Sequence, residues 1–307
     1  MDFPEKFADR IMADKIHALS LSFLVKKLHK QFGGTAGNIA YSLKLLGYDP
    51  YIIAPSGNDF SSYDAFLNKM HMHREGITRY GKESTGTYFC ITDKEDNQIG
   101  AFYGGAIRFA NSLSLVRFAK KERLSLKKDS LFAILAPNDP NAMILFVREC
   151  RKFHIPYLYD PAFQIGNFTN KQLIDGIANA SLVIGNDYEI ALIEKNLHIT
   201  HAQLLEKAPI VITTLGSKGS FIETKKEKYS IHPAKVKNTT DPTGAGDAYR
   251  SGFLAGYLRG FDLQTCGQMG SVAASYTVEK YGTMTHTYTK KQFEKRYKEN
   301  YKTDIEL

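Results

Sequence analysis

The stretch DPTGAGDAYRSGF, at residues 241–253, is the most informative part of the chain. Two glycines flank a small alanine, and a carboxylate, Asp247, follows at once. Pro242 ends the preceding element, and the apolar residues after Asp247 indicate a helix. Residues 243–247 are therefore predicted to form a helix N-terminus with uncovered amides. Such a turn binds anions, because its free N–H groups and the helix dipole point at the ligand.

A carboxylate at position 247 is a poor choice for an anion site if binding is its only role. The residue makes chemical sense if Asp247 accepts the proton of a hydroxyl that attacks a bound phosphoryl group. The alternative is a tight turn in which the acid only stabilises the helix N-terminus. Other motifs in the chain are needed to distinguish these two interpretations.

Composition places the chain among ordinary globular proteins, with 307 residues, 43% apolar and 23% charged. The net charge of +8 suits an anionic substrate such as a nucleotide, and would also suit nucleic acid or a membrane surface. Basic residues are spread out, however, and acids interrupt the densest cluster at 290–302, so we expect no nucleic-acid partner. A charged N-terminus, the lack of long apolar runs and three scattered cysteines lead us to expect a cytoplasmic protein without a membrane partner.

Apolar runs alternate with helical patterns along most of the chain. This alternation predicts a mainly parallel sheet covered by helices on both faces, with ligands bound beyond the carboxyl ends of its strands. Polar residues stand at several of those ends, including Asn138, Asp160 and Asn186. The predicted strands are 51–55, 131–137, 155–161, 181–186 and 209–216. The predicted helices are 35–46, 61–72, 140–153, 170–179, 187–196, 262–280 and 290–299.

One region breaks this alternation, because residues 85–105 contain two strand-like halves joined by the polar turn DKEDN. That pattern predicts a hairpin, and residues 19–27 are predicted to be a further strand beside it. We interpret these segments as a small β-sheet lid on a single domain, residues 1–307. The lid is predicted to comprise about 1–32 and 76–107, and the large α/β part about 33–75 and 108–307.

Several common nucleotide motifs are absent from the sequence, including GxxxxGK[ST], HRD and DFG. The motifs that are present resemble those of the ribokinase-like, or PfkB, carbohydrate and nucleoside kinases, in the same order along the chain. They are GGTAGNIAYSLKLLG at 33–47, NDYE at 186–189, TLGSKGS at 214–220 and DPTGAGDAYRSGF at 241–253. The segments FYGGA and PNDP are most similar to the bacterial adenosine-kinase-like branch. The resemblance implies a ribokinase-like three-layer α/β/α sandwich with a small β-sheet lid.

The resemblance also implies roles at the acceptor side of the site. Asp247 would be the catalytic base, and the amides of the three residues before it would face the transferred phosphoryl group. A glycine pair would let the backbone approach a sugar, although a plain strand-to-helix turn explains the pair equally well. An aromatic residue of the lid would cover the base of the acceptor, unless it only packs the lid. The phosphoryl-binding residues are Gly244, Ala245 and Gly246; the substrate-binding residues are Gly33, Gly34, Asn38, Phe102 and Asn138.

On the nucleotide side, the resemblance implies that Glu189 organises Mg²⁺ through water and that Asp241 helps to bind a monovalent cation such as K⁺. A helix start at 186–189 and a hairpin turn at 214–220 remain open as structural explanations of the same motifs. The residues implied to bind ATP are Asn186, Glu189, Thr214, Gly216, Gly219 and Thr243.

The chain departs from the family at its beginning. Relatives usually start with a central strand of the type xxVxGSxxxD, and this strand is missing before MDFPEKFADR. Two explanations of this difference are open. The start may have been assigned to an internal methionine, which is the explanation that we favour, or the chain is truly short. The missing inner strand would leave backbone groups of both neighbouring strands unpaired. We therefore expect low activity that about fifteen upstream residues would restore.

The sequence thus predicts an ATP- and Mg²⁺-dependent kinase acting on the primary hydroxyl of a nucleoside, with adenosine as the favoured acceptor. A sugar kinase acting on ribose, fructose or a related sugar is the alternative of the same fold. A nucleotide- or sugar-binding protein without activity is the alternative of another class, because the first strand is absent. A homodimer formed through the lid is also expected from the resemblance.

Overall fold

The structure of the chain is a computed structural model that describes residues 1–11, 20–95, 97–127 and 130–307. The helices are α1 (Thr35–Leu45), α2 (Ser61–Lys69), α3 (Leu115–Lys121), α4 (Pro140–Phe153), α5 (Asn170–Ala178), α6 (Asp187–Leu197), α7 (His201–Lys207), α8 (Ala245–Tyr257), α9 (Leu263–Val278) and α10 (Lys290–Tyr301). The strands are β1 (Ala54–Ser56), β2 (Ile77–Arg79), β3 (Thr87–Thr92), β4 (Gln98–Tyr103), β5 (Ala133–Leu135), β6 (Tyr157–Tyr159), β7 (Leu182–Asn186), β8 (Val211–Thr214), β9 (Ser220–Glu223) and β10 (Lys228–Ile231).

A six-stranded sheet forms the centre, in the order β10-β9-β8-β7-β6-β5. Strands β5 to β8 run parallel, whereas β9 is antiparallel to both β8 and β10. The predicted mainly parallel sheet is therefore confirmed. The turn at 214–220 joins the antiparallel strands β8 and β9. It is therefore a hairpin turn, which was the structural explanation left open for this motif.

Alternate residues of the strands point to opposite faces of this sheet, and two separate apolar clusters result. Tyr159 and Val183 belong to the cluster with side chains of α3, α4, α5, α6 and α7. Leu158 and Ile184 belong to the cluster with side chains of α1, α8, α9 and α10. Helices thus cover both faces, which confirms the predicted three-layer architecture.

Local sequence sets where most helices begin. A capping box starts each of the helices α5, α6, α7 and α10. In it the side chain of a Thr or Asn N-cap accepts a backbone amide of the first turn, and a Gln or Glu side chain three residues later accepts the N-cap amide. Helix α4 starts with Pro140 after the cap Asp139. Helix α8 differs, because its N-cap is Gly244 and no side chain caps its amides. The first turn of α8 is therefore left open for a ligand.

Strand β1 lies outside the six-stranded sheet. Strand β1 pairs in parallel with β2 in a separate two-stranded sheet. Within the described parts of the chain, no backbone hydrogen bond joins β1 to β5. A cavity of about 590 Å³ lies between them. The six-stranded sheet and the two-stranded sheet are therefore separated by a cavity.

The predicted hairpin is present as β3 and β4, which pair from Thr87–Tyr103 to Thr92–Gln98. The predicted strand 19–27 is wrong over residues 20–27, and Leu19 lies outside the described residues. Only Lys27 makes an isolated bridge, to Asp2. Of the alternating apolar residues in this segment, Phe23 packs against Phe3 and Phe7, whereas Leu21 is exposed. An alternating apolar pattern is therefore not sufficient to predict a strand when no neighbouring strand pairs with the segment.

Four further helices and strands, α3, α7, β2 and β10, were not predicted, because they are short and carry little periodic signal. The division into a lid and a large part stays a prediction. None of the helices in the described ranges combines the length and apolar character needed to cross a bilayer.

Helices α8 and α9 pack closely because small residues lie between them. A Cβ on Gly252 of α8 would lie 2.4 Å from the Met269 carbonyl oxygen and 2.8 Å from the Ala273 Cβ. We predict that Gly252→Ala lowers the free energy of unfolding by about 1–3 kcal/mol, although alanine favours helix in isolation. Urea unfolding measures this. Gly81→Ala is the matched control, because a Cβ there meets no atom within 4 Å. Equal effects of both substitutions would contradict the prediction.

Candidate active site

The N-terminus of α8 is open, as the sequence predicted. Gly244 adopts a left-handed conformation with φ of +80°, which favours glycine. The amide of Ala245 donates to the Pro242 carbonyl oxygen at 3.2 Å. Among the described residues, the amides of Gly244, Gly246 and Asp247 have no hydrogen-bond acceptor. The structure therefore leaves Gly244 and Gly246 as free donors, whereas the amide of Ala245, also predicted to face the phosphoryl group, is already engaged.

Asp247 lies beside this turn and is held by Asn38 of α1. The Asn38 Nδ2 donates to Asp247 Oδ2 at 2.7 Å. Thr283 fixes the orientation of that amide, because its hydroxyl donates to Asn38 Oδ1 at 2.7 Å. The N-terminal parts of α1 and α8 thus meet at the proposed base. The sequence predicted Asn38 and Asp247 but missed Thr283, which is 245 residues from Asn38 along the chain.

Burial raises the pKa of Asp247 to about 6. The Arg250 guanidinium and the hydrogen bond from Asn38 lower this pKa, and the Asp160 carboxylate raises it. The group is therefore ionised at neutral pH, yet it is a much stronger base than an ordinary aspartate. A carboxylate with these properties is suited to accept a proton from an alcohol.

Arg250 lies one turn after Asp247 on α8 and pairs with Asp160 at the end of β6. The Arg250 Nε is 2.6 Å from Asp160 Oδ2, and the side chains are 11% and 1% exposed. A Cβ on Gly246 would lie 2.8 Å from Arg250 Nη1, so glycine leaves room for the guanidinium. The position of Asp160 at a strand end was predicted from the sequence, whereas Arg250 was not. Its place in DAYRSGF, three residues after the acid, was the available signal.

The glycine pair lies at the start of α1. Gly34 is the N-cap, with φ of +88°. The carbonyl oxygen of Gly33 accepts a hydrogen bond from the Tyr63 hydroxyl at 2.8 Å. Both glycines line the cavity between β1 and β5, and Asn138 lines the same cavity. The structure thus brings three of the predicted substrate-binding residues to one cavity. Residues 28–34 are coil, so the glycine pair is a coil-to-helix turn and the alternative of a strand-to-helix turn is wrong.

Phe102 lies at the end of β4 with 52% of its surface exposed. Its ring centroid is 6.2 Å from that of Phe163, which is 65% exposed. The two rings are tilted by 57° to each other, and each exposed ring offers a face on which a flat base can stack. Sequence analysis predicted Phe102 and missed Phe163, which lies just after the strand-end motif YDP.

Five of the six residues predicted to bind ATP lie at or just after the carboxyl ends of β7 and β8, and Thr243 lies in the loop before α8. Asn186 and Thr214 are directly paired across these strands. Asn186 Oδ1 accepts the Glu189 amide, and Glu189 Oε2 accepts the Asn186 amide, both at 2.8 Å. The NxxE motif therefore does form a helix cap, as the structural explanation proposed. Gly216 and Gly219 follow with φ of +58° and +96°.

Negative charge exceeds positive charge at the centre of the site. Asp160, Glu189 and Asp247 all act on the single guanidinium of Arg250. Burial, with a contribution from Asp160, raises the pKa of Glu189. An oxygen-rich site with excess negative charge fits Mg²⁺, which prefers to keep several waters. In the described ranges, no group of three His, Cys, Asp or Glu side chains could hold a metal directly.

Asp241 binds two backbone amides. Its Oδ1 accepts the Thr243 amide at 2.9 Å, and its Oδ2 accepts the Gly282 amide at 3.0 Å. The carboxylate therefore joins the loop before α8 to the loop that carries Thr283. This engagement gives Asp241 a structural role, and its predicted role toward a monovalent cation stays a prediction.

Comparison with known proteins gives a consistent result. The sequence pattern of the pfkB family carbohydrate kinases matches residues 5–290. A nucleoside kinase of Methanothermobacter thermautotrophicus is 32% identical over 283 residues, covering 90% of this chain and 87% of that one. A nucleoside kinase of Methanocaldococcus jannaschii is 29% identical over 278 residues, covering 90% and 88%.

Solved structures agree with this assignment. The structure of Burkholderia thailandensis nucleoside kinase in complex with inosine has a TM-score of 0.88 and 26% identity, covering 99% of this chain and 96% of that one. The same enzyme in complex with ADP-inosine has a TM-score of 0.87 and 28% identity, covering 100% and 93%. The ribokinase-like fold, the motif order and these matches lead to one conclusion: the chain belongs to the pfkB family of carbohydrate kinases and is a phosphotransferase.

Proposed function

We propose that the chain transfers the γ-phosphoryl group of ATP to the primary hydroxyl of a nucleoside, with adenosine as the acceptor. The observation that carries this proposal is the position of Asp247, a half-buried carboxylate with a raised pKa, beside the free amides of Gly244 and Gly246. The nucleoside kinases among the relatives support a nucleoside acceptor, and the inosine complex of the Burkholderia enzyme supports a purine nucleoside.

In this mechanism Asp247 accepts the proton of the acceptor hydroxyl while the hydroxyl oxygen bonds to the γ-phosphorus. The bond from the γ-phosphorus to the bridging oxygen breaks, and ADP leaves. The amides of Gly244 and Gly246 are fixed in advance and stabilise charge on the transferred group. Asn38 keeps the carboxylate in place, because its own amide is fixed by Thr283.

Glu189, together with Asn186, is the residue that would hold hydrated Mg²⁺ near the phosphates. Bound there, Mg²⁺ would neutralise charge on the phosphate oxygens. Thr214, Gly216, Gly219 and Thr243 would lie along ATP, and K⁺ near Asp241 would be a further cofactor. The excess of carboxylates around Arg250 supports a cation requirement.

Phe102 and Phe163 would cover the base of the acceptor when the hairpin closes, which excludes water from the reaction. Exposed apolar side chains elsewhere on the same hairpin support the proposed homodimer. They are Tyr88, Phe89, Ile99 and Tyr103.

A panel of acceptors tests the function directly. The purified chain, with ATP, Mg²⁺ and K⁺, is offered adenosine, inosine, cytidine, ribose and fructose, and ADP formation is measured. We expect the highest kcat/KM with adenosine. Preference for a sugar would favour the sugar-kinase alternative. ATP binding without transfer to any acceptor would favour a binding protein and contradict the proposal.

Asp247→Asn separates catalysis from folding. We predict a loss of kcat on the order of 10²- to 10⁴-fold, because the base is removed. The pKa of Asp247 is raised from 3.8 to about 6 in the folded chain, so its ionisation opposes folding as pH rises through that range. The variant is therefore expected to be more stable than the parent at pH 8, by about 1–3 kcal/mol, and equally stable below about pH 4. Unchanged turnover would contradict the assigned base.

Asp160→Asn tests the electrostatic setting of the base. Activity is expected to rise with pH through about 6, as Asp247 ionises. Because the Asp160 carboxylate raises the pKa of Asp247, its neutralisation moves the acidic limb of the kcat/KM profile to lower pH. Asp64→Asn, which removes an exposed partner of Arg74, is the control and leaves the limb in place. An unmoved limb in Asp160→Asn would contradict this coupling.

A further inference from the structure

The guanidinium of Arg250 lies beside the open N-terminus of α8. Helical side chains lean toward the N-terminus of their helix, so the side chain of Arg250 passes over Gly246, one turn earlier. A Cβ on Gly246 would lie 2.8 Å from Arg250 Nη1. Gly246 also carries one of the two free amides. A positively charged group therefore lies next to the donors of the anion site.

Asp160 holds one edge of this guanidinium. Arg250 Nε is 2.6 Å from Asp160 Oδ2, and the two residues are 9% and 0% exposed. The N–H bond of Nε is not aligned with that oxygen, so the contact is an ion pair rather than a hydrogen bond. Asp160 lies directly after β6. The end of the sheet thus holds the guanidinium against the first turn of α8.

The two outer nitrogens of Arg250 are left without a partner. Within the described ranges, neither Nη1 nor Nη2 donates a hydrogen bond to an acceptor of the chain. Nε is fully buried, whereas Nη1 and Nη2 retain accessible surface. Buried polar side chains nearly always have hydrogen-bond partners. A side chain that is nine-tenths buried, and yet presents unpaired donors beside an anion site, indicates a ligand for those donors.

The base and the guanidinium flank the same turn of α8. Asn38 of α1 holds Asp247, and Asp160 after β6 holds Arg250, so two different elements position the two groups. In the part of the chain that the structure describes, Asp247 and Arg250 form no direct ion pair, although the guanidinium lowers the pKa of Asp247. The planar fork of an arginine matches the geometry of phosphate oxygens. A phosphoryl group at the free amides would therefore have a base and a cation as neighbours.

We propose that Arg250 is a catalytic residue that donates hydrogen bonds from Nη1 and Nη2 to the phosphoryl group during its transfer. This inference rests on the proposed function, in which the acceptor hydroxyl loses its proton to Asp247 and ADP leaves. Arg250 transfers no proton, and the bonds that form and break at phosphorus are those of that mechanism. A fixed cation beside the amides stabilises the charge that develops on the transferred group. Asp160 is then a positioning residue for the guanidinium.

A purely structural role is the alternative for Arg250. A buried carboxylate without a partner is strongly destabilising, so the guanidinium could serve only to neutralise Asp160. Any single substitution that removes the charge of Arg250 leaves Asp160 unpaired and affects folding. The test therefore has to remove the two charges together.

The double variant Asp160→Asn with Arg250→Gln leaves no buried charge at this pair, whereas Asp160→Asn alone keeps the guanidinium. We expect similar Tm values for these two proteins. We expect kcat to be at least about 10²-fold lower in the double variant, because a charged donor to the transferred group is lost. The KM of the acceptor is expected to change by less than about threefold.

A second buried ion pair provides the matched control. Arg296 and Glu279 are paired at 3.0 Å, with side chains that are 12% and 10% exposed. The double variant Glu279→Gln with Arg296→Gln removes both of these charges, and its kcat is expected to stay within about threefold of the parent value. A loss of kcat confined to the Arg250 pair is the result that the proposal requires.

Binding of a transition-state mimic gives a readout without turnover. ADP with aluminium fluoride imitates the phosphoryl group in transfer, and its affinity is measured by calorimetry in the presence of the acceptor. We expect the double variant at Asp160 and Arg250 to bind this mimic at least about tenfold more weakly than Asp160→Asn does. Its affinity for ADP alone is expected to change by less than about threefold.

Arg250→Lys is a further variant that does not depend on the folding of the double variant, because its ammonium keeps a positive charge beside Asp160. We expect kcat to fall at least about tenfold, since lysine lacks the planar fork. Equal kcat values in the double variant and in Asp160→Asn would overturn the proposal. Full activity of Arg250→Lys, or an unchanged affinity for the mimic, would also overturn it. The kcat values are measured with whichever acceptor the panel identifies, so failure of adenosine as the acceptor would leave the test intact.

Discussion

The hydrogen bond from Asn38 to Asp247 is the contact on which the site depends. It joins the start of α1 to the start of α8, at 2.7 Å. Without it, a half-buried carboxylate beside a helix N-terminus would have no fixed direction. With it, the carboxylate stays next to the free amides of Gly244 and Gly246. A base and an anion site are thereby held side by side, which a phosphoryl transfer to an alcohol requires.

Burial and neighbouring charges shift the pKa of Asp247 in opposite directions. Burial raises its pKa, and Arg250 lowers it, so the outcome lies between an ordinary aspartate and a neutral acid. Asp160 shares the same guanidinium and limits how far Arg250 can lower the pKa. A base tuned in this way is costly for folding at neutral pH, which is a frequent property of functional sites.

The sequence predicted those parts of the site that are formed by consecutive residues. The open turn before Asp247 and the cap at 186–189 follow from local chemistry, and both are present in the structure. Arg250 and Thr283 were missed, because their roles depend on partners far away in the chain. The strand predicted at 19–27 is wrong over residues 20–27, because its backbone pairing with the N-terminal residues is limited to Lys26 and Lys27 beside Asp2.

The ionisation of Asp247 is the property that tests the central claim most directly. The chain can be labelled with ¹³C at the aspartate carboxyl carbons and titrated by NMR, with Asp247→Asn used to assign the signal. The account predicts that the Asp247 signal titrates with a pKa of about 6. A value at or below the 3.8 of an ordinary aspartate would contradict it, because the carboxylate would then be neither desolvated nor an effective base.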